Sequence, residues 1–511
     1  MNQIWRIWRW NMRRPVRDTV IAVCLGVLAS CAGGGGKFRD PLAEARDDRV
    51  AVSRRVAAVE HAAMGARTGE FDAGEVRETL KALAWEGSAP VEVRIRALER
   101  LLDDDQPIDD TRRMMRLMLP HEPHLGMVHV IGDVAVARGW SEFTPALVRR
   151  YARPARTIRD ADRPERAALL ALHPGRDVAE IALGVFLDPG ENEAMADRDW
   201  KAVTRADAWD LASRLDPEGI SLASLVETMR ERPVEADDEG RAILAELERC
   251  RRDLWTQPRV GRELVWMSSL LDARSASNAA WWREASQAVA GLSETQREGL
   301  RLRHVEAVRW ATANRPSWVS LDREGLREEL DRRLTGRRWH GRAREPGETG
   351  PLLRERYEDS RDRLSWGDAL SVLVIDELLQ GGGLTRSLFA QVEQDRADRT
   401  TEYGGLLFAG GPGGDPRFEL YPPRPAQRAG DHAFIASTDM IARGDLALAH
   451  YHFHVQMAAN SQYAGPSRED LAYAARFGRT CLVMTSIRAD VLNVDVYTPD
   501  GIVVDLGEIV R

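Results

Sequence analysis

Read by its apolar positions, the chain changes period once. From about residue 48 to 335 the pattern is helical. Val76, Leu80, Leu83 and Ala84 fall at i, i+4, i+7 and i+8, which is one face of a helix. The runs 91–102 and 114–119 continue in the same way. Breakers at Gly87-Ser88-Ala89-Pro90, Asp103-Asp104-Asp105-Gln106-Pro107 and His121-Glu122-Pro123 cut the stretch into short units. Helices of about 10–15 residues with short turns predict paired antiparallel helices. The pattern breaks over 336–364, a stretch rich in Gly, Arg and Pro that reads as a linker. An apolar segment at 370–379, a Gly381-Gly382-Gly383 turn and a helix at 384–395 follow. From Glu402 onward the period is two. Strands are predicted at 406–409, 418–421, 432–436, 446–454, 481–487, 491–497 and 502–506, with a helix at 467–477. Thr498-Pro499-Asp500-Gly501 is a hairpin turn signal. The predicted fold class is multidomain: an all-α region over 48–335, then an α+β domain over 365–511.

Composition sharpens this picture. At 511 residues, two or three domains are expected. The net charge of −8 argues against nucleic acid as a partner. The four cysteines, Cys24, Cys31, Cys250 and Cys481, form no CxxC pair, so a metal would have to be held by histidine and carboxylate. Cys250 reads as a small buried residue on a helix. Trp255, Trp266, Trp281, Trp282, Trp310 and Trp318 read as helix-packing core. Residues 90–105 resemble one helix of a HEAT-type repeat, which makes the helical region an irregular solenoid with room for a protein partner.

The first 31 residues read as a targeting segment. Arg6, Arg9, Arg13, Arg14 and Arg17 precede a short apolar run over 19–29, which ends in Leu28-Ala29-Ser30-Cys31. This resembles the bacterial lipobox, in which the cysteine is lipidated. Cys31 is therefore the expected anchor, and residues 32–47 the flexible tether behind it. Ala32 after the cysteine points to the outer membrane where the host has one.

The candidate chemistry lies in the last quarter. His450, His452 and His454 alternate along a strand. Residues two apart on a strand share a face about 6.5–7 Å apart, whereas residues four apart are about 13 Å apart, too far to share one zinc. The pair is therefore 450/452 or 452/454. Ser467-x-x-Asp470 has the form of a helix capping box. Glu402 stands just before Gly404-Gly405.

Together, Glu402-x-Gly404-Gly405-x-Leu407, Tyr451-His452-x-His454 and Ser467-x-x-Asp470-Leu471 resemble the JAMM (MPN-plus) zinc metallopeptidases, over about 365–511. The resemblance implies His452, His454 and Asp470 as zinc ligands, because Tyr451 takes the family's aromatic position. It implies Glu402 as general base and Ser467 as oxyanion donor, both catalytic. The segments 481–487 and 491–497 look like the family's closing strands. Two departures stand out: Val455 replaces the usual proline, and the loop from His454 to Ser467 is longer and carries Gln456, Asn460, Ser461 and Gln462. The expected protein is a lipid-anchored extracytoplasmic enzyme that hydrolyses peptide or isopeptide bonds in peptides or cell-envelope proteins. The alternative is a non-catalytic helical-repeat interaction lipoprotein with a degenerate JAMM-like domain.

Overall fold

The computed structural model describes residues 38–103, 108–154, 158–190, 200–216, 236–343, 355–410, 415–428, 430 and 434–511. Cys31 and the targeting segment lie outside the described residues. Backbone contacts divide the chain into two compact units, with the break after Ile131. The molecule is helix-rich, with a six-stranded mixed sheet at its C-terminal end.

In the first unit the helical period seen in the sequence is realised directly. Asp72 caps the Ala73–Trp85 helix by accepting from Glu75 N, 2.8 Å away. Its buried residues include Val76, Leu80, Leu83 and Ala84, the predicted face. The Val91–Asp103 helix carries Arg94, whose guanidinium is fully buried. Its Nη1 donates to Glu122 Oε1 at 2.9 Å and its Nε to the Ala84 carbonyl at 3.1 Å. The expected tether is partly ordered: Pro41–Arg46 is a helix capped by Asp40, whose side chain accepts from Ala43 N. Residues 32–37 lie outside the described residues.

In the second unit, helices and sheet share one body. The Leu302–Asn314 helix packs on the Trp366–Leu379 helix, where Arg303 Nη2 and His304 Nε2 both reach Asp368 Oδ1 at 2.9 Å. The described parts of the 336–364 stretch, read as a linker, are pinned to the sheet edge. Arg337 Nη1 donates to the Leu506 carbonyl, His340 N to Asp505 Oδ2, and Ser360 Oγ to the Val503 carbonyl. Five of the six named tryptophans are buried. The exception is Trp255, 53% exposed, which ends the Asp238–Leu254 helix in a left-handed conformation at φ 53°. Cys250 is buried.

The strands are β1 (Gly404–Phe408), β2 (Arg417–Leu420), β3 (Ala449–His454), β4 (Cys481–Arg488), β5 (Val491–Tyr497) and β6 (Val503–Val510), in the order β2-β1-β3-β4-β5-β6. Only β3 and β4 run parallel. The Arg468–Phe477 helix lies in the connection between them. The predicted strand 432–436 is absent where it is described: residues 434–436 belong to no strand, and 432–433 lie outside the described residues. The predicted strand 446–454 is shorter, because Gly444–Leu446 forms a 3-10 turn. Pairing aligns Gly404, His452, Val483, Asp495 and Asp505 in one row across the sheet, so their side-chain positions share a face.

Candidate metal centre

The site is built on β3. Its residues 450, 452 and 454 face one side of the sheet, and all three are buried. Tyr451, between them, points to the opposite face, where it meets Phe418 edge-on at 5.0 Å and donates to Gln391 Oε1. The aromatic position before the histidines is therefore a packing position.

His452 Nε2 and His454 Nε2 converge to 3.2 Å. Asp470 Oδ1 stands 3.3 Å from His452 Nε2, and Asp470 Oδ2 stands 3.8 Å from His454 Nε2. A carboxylate oxygen of Glu402 lies within 4.8 Å of both imidazoles, completing a buried Glu/His/His group. These spacings fit a metal. Two nitrogens each about 2.0–2.1 Å from a tetrahedral zinc lie about 3.3–3.4 Å apart. The tautomer fits as well. His454 Nδ1 is 2.9 Å from the Tyr463 carbonyl, which can only accept, so Nδ1 carries the proton and Nε2 the lone pair. His452 Nδ1 faces the Tyr497 hydroxyl at 3.5 Å. His450 stands apart: its Nδ1 pairs with the Tyr473 hydroxyl at 2.8 Å, beyond the Phe434 ring stacked on His452.

The electrostatics ask for positive charge at this point. Burial alone would lower the His452 pKa, but Asp470 outweighs it and holds it above the usual value. Burial pushes His454 down to about 4, and the charge on His452 adds to the effect. For Asp470, burial is outweighed by the two histidines, which hold its carboxyl well below the usual range.

Each remaining residue is placed by local structure. Ser467 is the N-cap of the Arg468–Phe477 helix. Its Oγ accepts from Asp470 N at 3.1 Å, while Asp470 Oδ2 accepts from Ser467 N at 2.7 Å. The capping box is thus real, and it is also what aims Asp470 at the histidines. Accepting uses one Oγ lone pair and leaves the hydroxyl proton free to donate. Glu402 enters β1 through Gly404 and Gly405. A Cβ on Gly404 would sit 2.4 Å from the Tyr451 carbonyl oxygen, and one on Gly405 would sit 2.0 Å from that of Glu419. Only glycine permits this approach of three strands.

The long loop after β3 supplies parts that the sequence reading left without a role. Gln456 Nε2 donates to Glu402 Oε1 at 2.6 Å, and Asn460 Nδ2 donates to Gln456 Oε1 at 2.9 Å. Asn460 is itself anchored, its backbone N donating to the Ser486 carbonyl at 2.7 Å. Phe434 over His452 and the Tyr463 carbonyl under His454 were also missed. The first sits in a segment read as strand, and the second is a backbone atom with no residue signature. Glu402, His452, His454, Ser467 and Asp470 all line one cavity of about 690 Å³. Among the described residues no helix is long and apolar enough to cross a membrane. No family model matches the chain, and neither a curated protein nor a solved structure matches it.

Proposed function

We propose that the chain is a zinc-dependent amide hydrolase of JAMM type, acting on peptide or isopeptide bonds. The observation that carries this reading is the convergence of His452 Nε2, His454 Nε2 and the Asp470 carboxylate at metal-ligand spacing, with Glu402 beside them. His452, His454 and Asp470 hold the ion. Zinc held there supplies Lewis acidity toward water and an amide carbonyl. Glu402 accepts the proton of the attacking water and returns it to the leaving amine. Gln456, braced by Asn460, donates to one oxygen of that carboxylate and so fixes its position beside the histidines. The Ser467 hydroxyl donates to the oxygen that gains charge as the carbonyl is attacked. A structural metal site held by His452, His454 and Asp470 has no need of Glu402, and this favours a working enzyme over the interaction-protein alternative.

The finer fold belongs to the same proposal: HEAT-like helical pairs that offer a surface to a protein partner, followed by a JAMM-like domain. So does placement, with Cys31 lipidated and the enzyme working outside the cytoplasm. The test is metal content together with turnover. Purified full-length protein should carry one zinc, His452→Ala none, and Glu402→Gln one zinc with no hydrolysis of a mixed peptide library. Wild type that binds no metal and cleaves no amide would leave the interaction-protein reading in its place.

A further inference from the structure

Along the row that holds His452, the sheet buries a second group of titratable side chains. Asp495 on β5 and Asp505 on β6 stand directly opposite one another. Glu355, whose carbonyl accepts from Asp505 N at 2.8 Å, adds a third carboxylate. All three are buried, and Asn493, two residues along β5, is buried with them. Like charges directly opposite in a ladder destabilise it. Asp495 Oδ1, Glu355 Oε1 and Asn493 Oδ1 are buried without a hydrogen-bond donor. A buried carboxylate oxygen without a donor favours the protonated acid. The other charged groups facing the cluster are Arg342, beside Glu355, and His340, beside Asp505 and paired with Glu508 at 3.0 Å. Burial holds Asp495 well above the usual carboxylate range, with Asp505 and Glu355 adding to the effect. Burial also pushes Asp505 up to about 6 and Glu355 up to about 7. Among the described residues, Glu402, His452 and His454 form the only group of three close enough to hold one ion, so what these three acids share is protons.

The same carboxylates hold the backbone around them. Asp505 Oδ2 accepts from His340 N at 2.8 Å and its Oδ1 from Gly507 N at 2.6 Å, while Glu355 Oε2 accepts from Arg342 N at 3.0 Å. Asp495 accepts from Gly465 N. Gly465 is pressed onto the cluster: its φ is +80°, and a Cβ there would sit 2.5 Å from Glu355 Oε1. On one side of Gly465 is Tyr463, whose carbonyl lies 2.9 Å from His454 Nδ1. On the other is Ser467, the cap that aims Asp470.

We propose that Glu355, Asp495 and Asp505 form a proton-operated clasp on the strap 463–467, closed on the sheet while protons are bound and released when they leave. Loss of the Glu355 proton to water leaves an anion with one bare oxygen beside two further acids. It regains hydration only by moving away from Gly465, and the strap loses the wall it rests on. Glu355 and Asp495 are thus positioning residues for Ser467 and Asp470. Their effect on catalysis rests on the hydrolase reading, but the clasp itself needs no turnover.

The experiment is hydrogen exchange, read by mass spectrometry, on zinc-loaded full-length protein at about pH 6 and about pH 8.5. Each rate is divided by the intrinsic rate at that pH. An opening that returns Glu355 from about 7 to its ordinary 4.5 is favoured about tenfold more at the higher pH. Protection of the strap should therefore fall about tenfold in wild type. It should stay level in Glu355→Gln, whose carboxamide is neutral at both values, or in Glu355→Ala if a melt at the lower pH shows that the carboxamide does not fold. Unchanged protection in wild type, or a fall that the variant retains, would overturn the inference. Protection restored at the higher pH by millimolar calcium would give the cluster to a cation and overturn it as well. Zinc content and wild-type turnover report on the hydrolase reading separately.

Discussion

Ser467 is asked to do two things, and two substitutions separate them. As N-cap it accepts from Asp470 N at 3.1 Å, and it also lines the cavity, where the proposed mechanism makes it the oxyanion donor. Ser467→Ala removes both functions. Loss of an N-cap to alanine costs about 0.5–2 kcal/mol, whereas glycine at the same position costs only a few tenths. In a unit larger than 250 residues the alanine change lowers the melting temperature by about 2 °C or less. The hydroxyl is lost equally in Ser467→Ala and Ser467→Gly, so both should lose about 10²–10³ in kcat, equivalent to about 2.7–4 kcal/mol. Zinc should stay in both, because Asp470 Oδ2 accepts from the Ser467 backbone N, which neither change touches. The assay is kcat on a cleaved peptide, zinc content and a thermal melt for all three proteins. If glycine restores the rate while alanine does not, the loss follows the cap, and the oxyanion role is refuted.

Three further outcomes follow from the same geometry. His450→Ala should keep its zinc while His454→Ala loses it, because His450 Nδ1 is engaged with Tyr473 and lies outside the convergent pair. The reverse result would shift the ligand register by two residues. Burial pushes the Glu355 carboxyl up from 4.5 to about 7, with Asp505 adding to the effect. Folding thus favours the neutral acid, so its stabilising share is complete below about pH 4.5 and is lost as pH rises through about 7. Melting temperature should fall less steeply between pH 5 and 9 in Glu355→Gln than in wild type, and an unchanged slope would contradict this. Finally, palmitate should label wild type but not Cys31→Ser. Equal labelling, or none of either, would remove the lipid anchor.

The sequence was most legible where structure is local. Val76, Leu80, Leu83 and Ala84 read as one helix face because the 3.6-residue period needs no distant partner. The convergence of His452, His454 and Asp470 was legible because the two histidines share a strand, and Asp470 is aimed by a cap three residues long. Where the partner is remote, the reading failed. Asn493 and Asp495 alternate with Leu492, Val494 and Val496, which would turn them to solvent on a one-sided sheet, yet both are fully buried. They lie under Gly465 and beside Asp505 and Glu355, contacts that no window of sequence contains. The polar 336–364 stretch failed for the same reason, since Arg337 and His340 find their partners more than 100 residues away. Phe434 has strand composition, but it is spent as a lid on an imidazole instead of in a ladder.

Gly404 and Gly405 supply no chemistry, yet they fix where Glu402 can stand. The carbonyl neighbours on the adjoining strands leave 2.0–2.4 Å for a methyl group. One alanine there would force β1 away from β2 or β3 and carry Glu402 off its station. Among related chains, a larger residue at either position should therefore come with a shifted β1 and a displaced Glu402.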